Sequence, residues 1–219
     1  MINIAVDGPS GSGKSTLAKA LAKEMKIRYL DTGAMYRAVG YAALCAGIDI
    51  SDEKQVMQLM ENINLRTAYK DDNQIVYVDG VNVMPFIRTP KASKAASDIS
   101  AYACVRQKLV AMQRQVAAEC DIVLDGRDIG TYVLPDAKYK FFITADVEER
   151  ARRRYKELLQ KNIETDFQTV LIDIKRRDAA DSGRKLAPLK MANDAILIDT
   201  TGIDAEEVLK SVLTKIVRE

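Results

Sequence analysis

The octapeptide Gly8-Pro9-Ser10-Gly11-Ser12-Gly13-Lys14-Ser15 constrains this chain more than any other segment. It satisfies the spacing G-x-x-x-x-G-K-[ST]. It lies between a short apolar run, Ile2–Val6, and a helical pattern, Lys14–Met25, with Leu17, Ala18, Leu21, Ala22 and Met25 on one side. Strand, glycine loop and helix in that order make a phosphate cradle. The glycines let successive backbone N–H groups turn inward onto phosphate oxygens. Lys14 reaches the β- and γ-phosphates. The Ser15 hydroxyl is placed for Mg²⁺, an ion that keeps most of its waters and takes few protein ligands. Thr16 follows in the first turn of the helix. A nucleoside triphosphate is the ligand this loop implies.

Around that loop the pattern repeats. Ile27–Leu30, Ile122–Leu124, Lys140–Ile143 and Ala195–Ile198 read as further short strands. Ala34–Ala46, Gln55–Ile63, Glu148–Gln160 and Phe167–Asp181 read as helices, the first stopping at Gly47. Ala92–Cys120 is helical with a break near Ser97–Tyr102. Asp204 caps a final helix, with Glu207 in a capping-box position and Val208, Leu209, Val212, Leu213, Ile216 and Val217 as its apolar stripe. The expected fold is α/β: a P-loop core with a parallel five-stranded sheet covered on both faces. Asn64–Ile87 interrupts it. Leu65–Tyr69, Gln74–Val78 and Val81–Met84 look like short antiparallel strands, the last two flanking the hairpin signal Asp79-Gly80.

Several kinds of chemistry are excluded. The 219 residues include no His, which removes His-based triads, imidazole general bases and His-ligated metals. Cys45, Cys104 and Cys120 are odd in number and far apart, so neither a disulfide framework nor a zinc site is indicated, and a reducing cytosol is expected. The net charge of +2 gives no polycation for nucleic acid or a membrane surface. The N-terminus runs straight into a strand and has no signal-peptide pattern. The apolar runs are too short to span a bilayer.

Arginines suggest a second anion. In Leu30–Ala38, a turn at Asp31, Thr32 and Gly33 leads into a helix that carries Tyr36 and Arg37 early. An Arg near the positive end of a helix dipole is poorly placed unless an anion joins it; taken alone, it reads first as a surface side chain reaching into water. Asp125 closes the run IVLD, where a Walker-B acid orients Mg²⁺, though any strand can end in Asp. Arg127 follows at a strand end, where open α/β sheets bind ligands. Arg177, Asp181 and Arg184 share one face if their helix continues. Arg150–Lys190 holds twelve Lys/Arg against six Asp/Glu, so the rest of this +2 chain is net negative. Such a hairpin is either a solvated surface or a lid whose arginines neutralise a transferring phosphoryl group and exclude water.

The segments GPSGSGKST from Gly8, LDTGAMYR from Leu30, KAASDIS from Lys94, DGRDIGTYVLPDA from Asp125 and RRDAADSGRKLAPL from Arg176 together resemble the bacterial cytidylate kinases, of the nucleoside monophosphate kinase group. The resemblance runs from end to end. It implies one P-loop kinase domain over 1–219, a monophosphate-binding lobe over about 31–120 with an insertion at about 64–87, and a helical lid over about 148–190. It implies transfer of the ATP γ-phosphoryl group to CMP or dCMP. Arg37 would hold the acceptor 5′-phosphate, with Thr32 and Tyr36 shaping the pocket and Arg127 contacting the same phosphate. Many relatives have Ser where Thr32 stands, and the hydroxyl is kept. Ser97, Arg106 and Asp128 would read the cytosine edge, and Asp181 would bind the ribose. Lys14, Arg127, Arg177 and Arg184 would be catalytic, and Arg153 and Arg154 would lie on the ATP side of the lid.

The expected cofactor is Mg²⁺, held by Ser15 and, partly through water, by Asp125. The expected partners are ATP and CMP or dCMP, with no nucleic acid and no membrane, in a cytoplasmic monomer. A kinase for UMP, AMP or another small acceptor is an alternative, as is a regulatory nucleotide-binding module. The absence of an NKxD signature argues against a GTPase switch. The scarcity of aromatics in the basic hairpin argues against RNA binding.

Overall fold

Runs of apolar residues become buried strands here. The computed structural model describes residues 1–216. Strand β1 (Asn3–Asp7) pairs in parallel with β6 (Ile122–Gly126) and β7 (Tyr139–Thr144), and β7 pairs in parallel with β8 (Ile196–Asp199). With β2 (Arg28–Asp31), the sheet has five strands in the order β2-β6-β1-β7-β8. Ile4, Ala5, Val6, Ile122, Val123 and Leu124 have no solvent exposure, as expected for parallel strands covered on both faces. The covering fails at β8. This edge strand leaves Ile196 and Leu197 38% and 55% exposed.

The chain divides into two compact units. One comprises Met1 and Arg28–Asp121; the other joins Ile2–Ile27 to the chain from Ile122 onward. In the second, α1 (Lys14–Met25) packs on α8 (Ala205–Leu213). The Asp204 carboxylate caps α8 by accepting from Glu206 N and Glu207 N. The helix is shorter than its apolar stripe. Ile216 is buried beyond its end, and Val217 lies outside the described residues.

Helices α6 (Val147–Gln160) and α7 (Phe167–Ser182) form a hairpin with its own small core. Ala151, Leu158, Val170, Leu171 and Ile174 fill it, and the Tyr155 and Phe167 rings meet edge to face. Asp146 and Asp166 cap the two helices by accepting from Glu148 N and Thr169 N. The basic surface therefore rides on a packed unit.

The first unit holds α2 (Thr32–Ala46), α3 (Glu53–Asn62), α4 (Pro90–Ile99), α5 (Ala103–Ala117) and the antiparallel sheet β3 (Leu65–Lys70), β4 (Asn73–Val78), β5 (Val81–Asn82). Two-residue turns join its strands. Asp79-Gly80 has φ of 49° and 83°, the paired left-handed geometry of a type I′ hairpin, and Asp71-Asp72 repeats it with 49° and 60°. The second turn lacks glycine, and its sequence signal is the weaker run Asp71-Asp72-Asn73. Gly40 lets α2 approach α4 closely: a Cβ there would lie 2.8 Å from Ala96 N. Lys108 of α5 donates to the carbonyls of Met60 (2.7 Å) and Ile63 (2.9 Å), satisfying acceptors at the C-terminal end of α3.

Candidate active site

The phosphate loop is shaped by its glycines. Gly8 has φ 149°, and a Cβ there would lie 2.0 Å from the Ile143 carbonyl oxygen; Gly11 and Gly13 adopt left-handed φ of 78° and 88°. Gly13 caps α1 without a side-chain acceptor, so the first N–H groups of the helix remain available to an anion. Thr16 is exposed in that turn. Lys14 is buried, and its Nζ donates to the Pro9 carbonyl at 3.2 Å. Burial, then the neighbouring Arg127 and Arg177 guanidiniums, lower its ammonium to about 7, with Asp125 opposing. The Ser15 hydroxyl donates to Asp125 Oδ2 at 2.5 Å. Two hard oxygen donors thus meet at the loop, which fits Mg²⁺; among the described residues no cluster of three acidic, Cys or His side chains forms a larger metal site.

Asp7, at the end of β1, is a residue that sequence reasoning missed. Its two carboxylate oxygens accept from Ile129 N and Gly130 N, each at 2.8 Å. They cap a single π-helical turn, Ile129–Val133, that directly follows Arg127 and Asp128. Burial raises the Asp7 carboxyl to about 7, against those two N–H donors. An apolar run ending in Asp is the only local signal. Asp128 is buried, and its carbonyl accepts from Tyr132 N and Val133 N.

Asp181 gathers the arginines. It has no solvent exposure. Arg127 Nε lies 2.7 Å from its Oδ2, Arg184 pairs with its Oδ1, and Arg177 Nε is 4.0 Å away. Burial would raise this carboxyl; Arg127, Arg184 and Arg177 outweigh that and hold it below the usual range. The expected helical face is realised only in part. Helix α7 stops at Ser182, and Arg184 meets Asp181 from beyond its end.

Arg150 was also missed. Its guanidinium donates to the carbonyls of Ala145 (2.9 Å) and Ser10 (3.1 Å) and pairs with Asp178 at 2.7 Å, tying the phosphate loop to α7. An Arg three residues from Val147 and next to Ala151, inside the apolar stripe of α6, is the trace it leaves in the sequence. Arg153 and Arg154 part company. Arg153 donates to Thr200 Oγ1 (3.0 Å) and Thr200 O (2.7 Å), and that hydroxyl lies 3.0 Å from Ser12 O. Arg154 pairs with Glu157 along its own helix at 2.8 Å.

In the first unit, α2 begins at Thr32, not Ala34, because Asp31 caps it: Oδ1 accepts from Ala34 N at 2.8 Å. Thr32 and Gly33 are therefore helical. The anion beside Arg37 is part of the chain, since Asp31 Oδ2 pairs with Arg37 at 2.8 Å. Arg37 is therefore neither a solvated surface side chain nor wholly free for a ligand, yet its Nε is buried without a hydrogen-bond partner. Arg88 approaches the same carboxylate at 3.8 Å. Arg106 of α5 is 1% exposed and lies over the Tyr36 ring, 5.7 Å from its centroid. Thr32 is buried in the first turn of α2, and Ser97 is half-buried on α4.

A family model described as cytidylate kinase matches residues 4–218. Among curated proteins, a cytidylate kinase of Clostridioides difficile is 51% identical over 213 residues, covering 97% of both chains. One of Caldicellulosiruptor saccharolyticus is 47% identical over 212 residues, covering 97% of this chain and 94% of that one. Among solved structures, an uncharacterized protein from Eubacterium ventriosum superposes with a TM-score of 0.53 at 14% identity, covering 98% of each chain; that likeness concerns the fold.

Proposed function

This chain belongs to the cytidylate kinase family, and from that premise we propose how its residues transfer the γ-phosphoryl group of ATP to CMP, and to dCMP, giving CDP or dCDP and ADP. One observation carries the assignment of the site: Arg127 and Arg177 lie close enough to the buried Lys14 to lower its pKa, and both also face Asp181. A cluster of cations around one carboxylate, beside a loop of inward N–H groups, is built for several phosphate charges.

Residues Gly8 to Thr16 bind the ATP phosphates. Lys14 neutralises the β- and γ-phosphates. Ser15 and Asp125 would hold Mg²⁺, which would supply positive charge to offset that of the phosphates. Arg153 supports the donor side through Thr200. Arg154, carried over from the family, stays a member of that side by proposal only, since Glu157 engages it.

Thr32, Tyr36 and Arg37 bind the acceptor phosphate with Arg127. Ser97, Arg106 and Asp128 read cytosine, and Asp181 binds the ribose while keeping Arg127, Arg177 and Arg184 assembled. The acceptor is a phosphate dianion, nucleophilic at neutral pH, so no general base is required and a chain without His suffices. Positioning and charge neutralisation then carry the rate. The monophosphate lobe at about 31–120 and the lid at about 148–190 belong to this proposal. So do a monomeric state, an action free of nucleic acid and membrane, and a cytoplasmic setting, the last suggested by three separate free thiols. Among the described residues no helix is long and apolar enough to cross a membrane.

A coupled assay with ATP–Mg²⁺ and CMP, dCMP, UMP or AMP tests the reading. CMP and dCMP are expected as the preferred acceptors. Preference for UMP or AMP would move the protein to another acceptor class. Nucleotide binding without turnover would make it a regulatory module.

A further inference from the structure

The inserted antiparallel sheet has no part in the transfer chemistry derived above, yet one of its side chains reaches the acceptor side. Gln74 lies on β4, opposite Tyr69 of β3, and is buried. Its Oε1 accepts from Asp31 N at 2.8 Å, and its Nε2 donates toward Asp31 O at 3.4 Å. A side-chain amide placed this way imitates a neighbouring strand and holds both polar groups of one peptide residue. The residue it holds has three tasks at once: Asp31 ends β2, caps α2 through Oδ1, and orients Arg37 through Oδ2. Arg37 keeps a buried Nε with no hydrogen-bond partner. Such a donor costs stability unless a ligand satisfies it.

We propose that Gln74 is a positioning residue: by clamping the Asp31 main chain, it fixes the carboxylate that aims Arg37 at the 5′-phosphate of the acceptor. The inference rests on the reading of Arg37 as a phosphate ligand. It gives the insertion a task, since β3 and β5 hold β4 in the ladder that presents Gln74. Reach matters: Asn at this position is one methylene shorter and cannot satisfy both groups from the same backbone.

The test compares CMP with cytidine, which has the base and ribose but no phosphate. Affinities for both, and KM for ATP, are measured in wild type, Gln74→Leu and Gln74→Asn. The loss of one positioned, charge-assisted contact predicts CMP binding weakened by about tenfold in both variants, with cytidine affinity and KM for ATP unchanged. Equal weakening of CMP and cytidine would overturn the proposal in favour of a general packing role, and unchanged CMP affinity would overturn it outright. If Gln74→Leu does not fold, the polar Gln74→Asn decides on the same readouts. A wild type that does not bind CMP would overturn the premise, and the inference with it.

Discussion

Arg127 and Asp181, 54 positions apart in the chain, are joined by an ion pair of 2.7 Å whose carboxylate has no solvent exposure. The same carboxylate receives Arg184 and faces Arg177. Three guanidiniums can share this region because Asp181 is there. Its position makes the cluster a stability element and, in the proposed function, a store of positive charge for substrates.

Removing that carboxylate leaves buried cations without their partner. Asp181→Ala should cost about 3–5 kcal/mol of stability, the usual scale for breaking a buried pair on one side. Phosphates replace the missing charge, so ATP plus CMP should raise the melting temperature of the variant more than that of wild type. Thermal denaturation with and without ligands reads both effects. The folded-state pKa of Asp181 is depressed, so its contribution is present above about 3.9, the ordinary Asp value, and is lost as pH falls through the folded value.

Arg177 and Arg184, the arginines of the proposed lid, should act mainly on the transferring group. Arg177→Ala or Arg184→Ala should lower kcat by about 10³ or more, the scale of losing a charge-clamping arginine, with a smaller loss in CMP affinity. Steady-state kinetics separate the two. A change confined to KM for CMP would make these residues ground-state binders.

Lys14 gives a pH signature. Its folded-state pKa is lowered to about 7. Between that value and about 10.4, the ordinary Lys value, the folded state binds fewer protons than the unfolded one. Lys14 therefore makes the unliganded protein more stable as pH rises through this window, and its charge is a burden below it. Triphosphate restores the ammonium. At pH 8, ATP binding should take up close to one proton, measured by calorimetry in two buffers of different ionisation enthalpy. Lys14→Met should abolish the uptake, and a wild type that binds ATP without it would contradict the assignment.

The features legible in the sequence are those written in local spacing. Helix α1 begins at Lys14 and ends at Met25 as its periodicity indicates, and Asp79-Gly80 makes its hairpin. What was not legible depends on partners distant in the chain. Asp7 caps a turn 122 residues away, Arg150 meets Ser10 across 140, and Gln74 reaches Asp31 across 43. A residue type and its neighbours can mark such a position, as they do for Asp7 and Arg150, but do not name the partner. Arg37 shows the intermediate case. Its sequence position signals an anion, and one anion beside it is Asp31, whose distance from Arg37 fits no helical pairing rule because Asp31 precedes the helix as its cap.

Cytosine presents an exocyclic amine beside N3 and O2 acceptors, whereas uracil presents a carbonyl and an N–H at the first two positions. In the proposed roles Asp128 and Ser97 meet the amine and Arg106 meets N3 and O2, so UMP would set a carboxylate against a carbonyl and a guanidinium against an N–H. Sites that hydrogen-bond a substrate group reject an analogue lacking it by roughly 10⁴. The CMP-to-UMP ratio of kcat/KM should therefore be large in wild type. It should narrow in Asp128→Ala and Arg106→Ala, chiefly through loss of CMP activity. An unchanged ratio in both variants would assign base reading to other residues. Arg106 is buried, so melting curves must accompany its kinetics.

The most direct test of the account is CDP formation from ATP and CMP by wild type and Lys14→Ala, both at saturating substrates, with folding checked by melting temperature. The account predicts CDP from wild type. From a folded Lys14→Ala it predicts turnover lower by at least about 10², the scale on which one charge-stabilising donor acts. Near-normal turnover by Lys14→Ala, or no CDP from wild type, would contradict it.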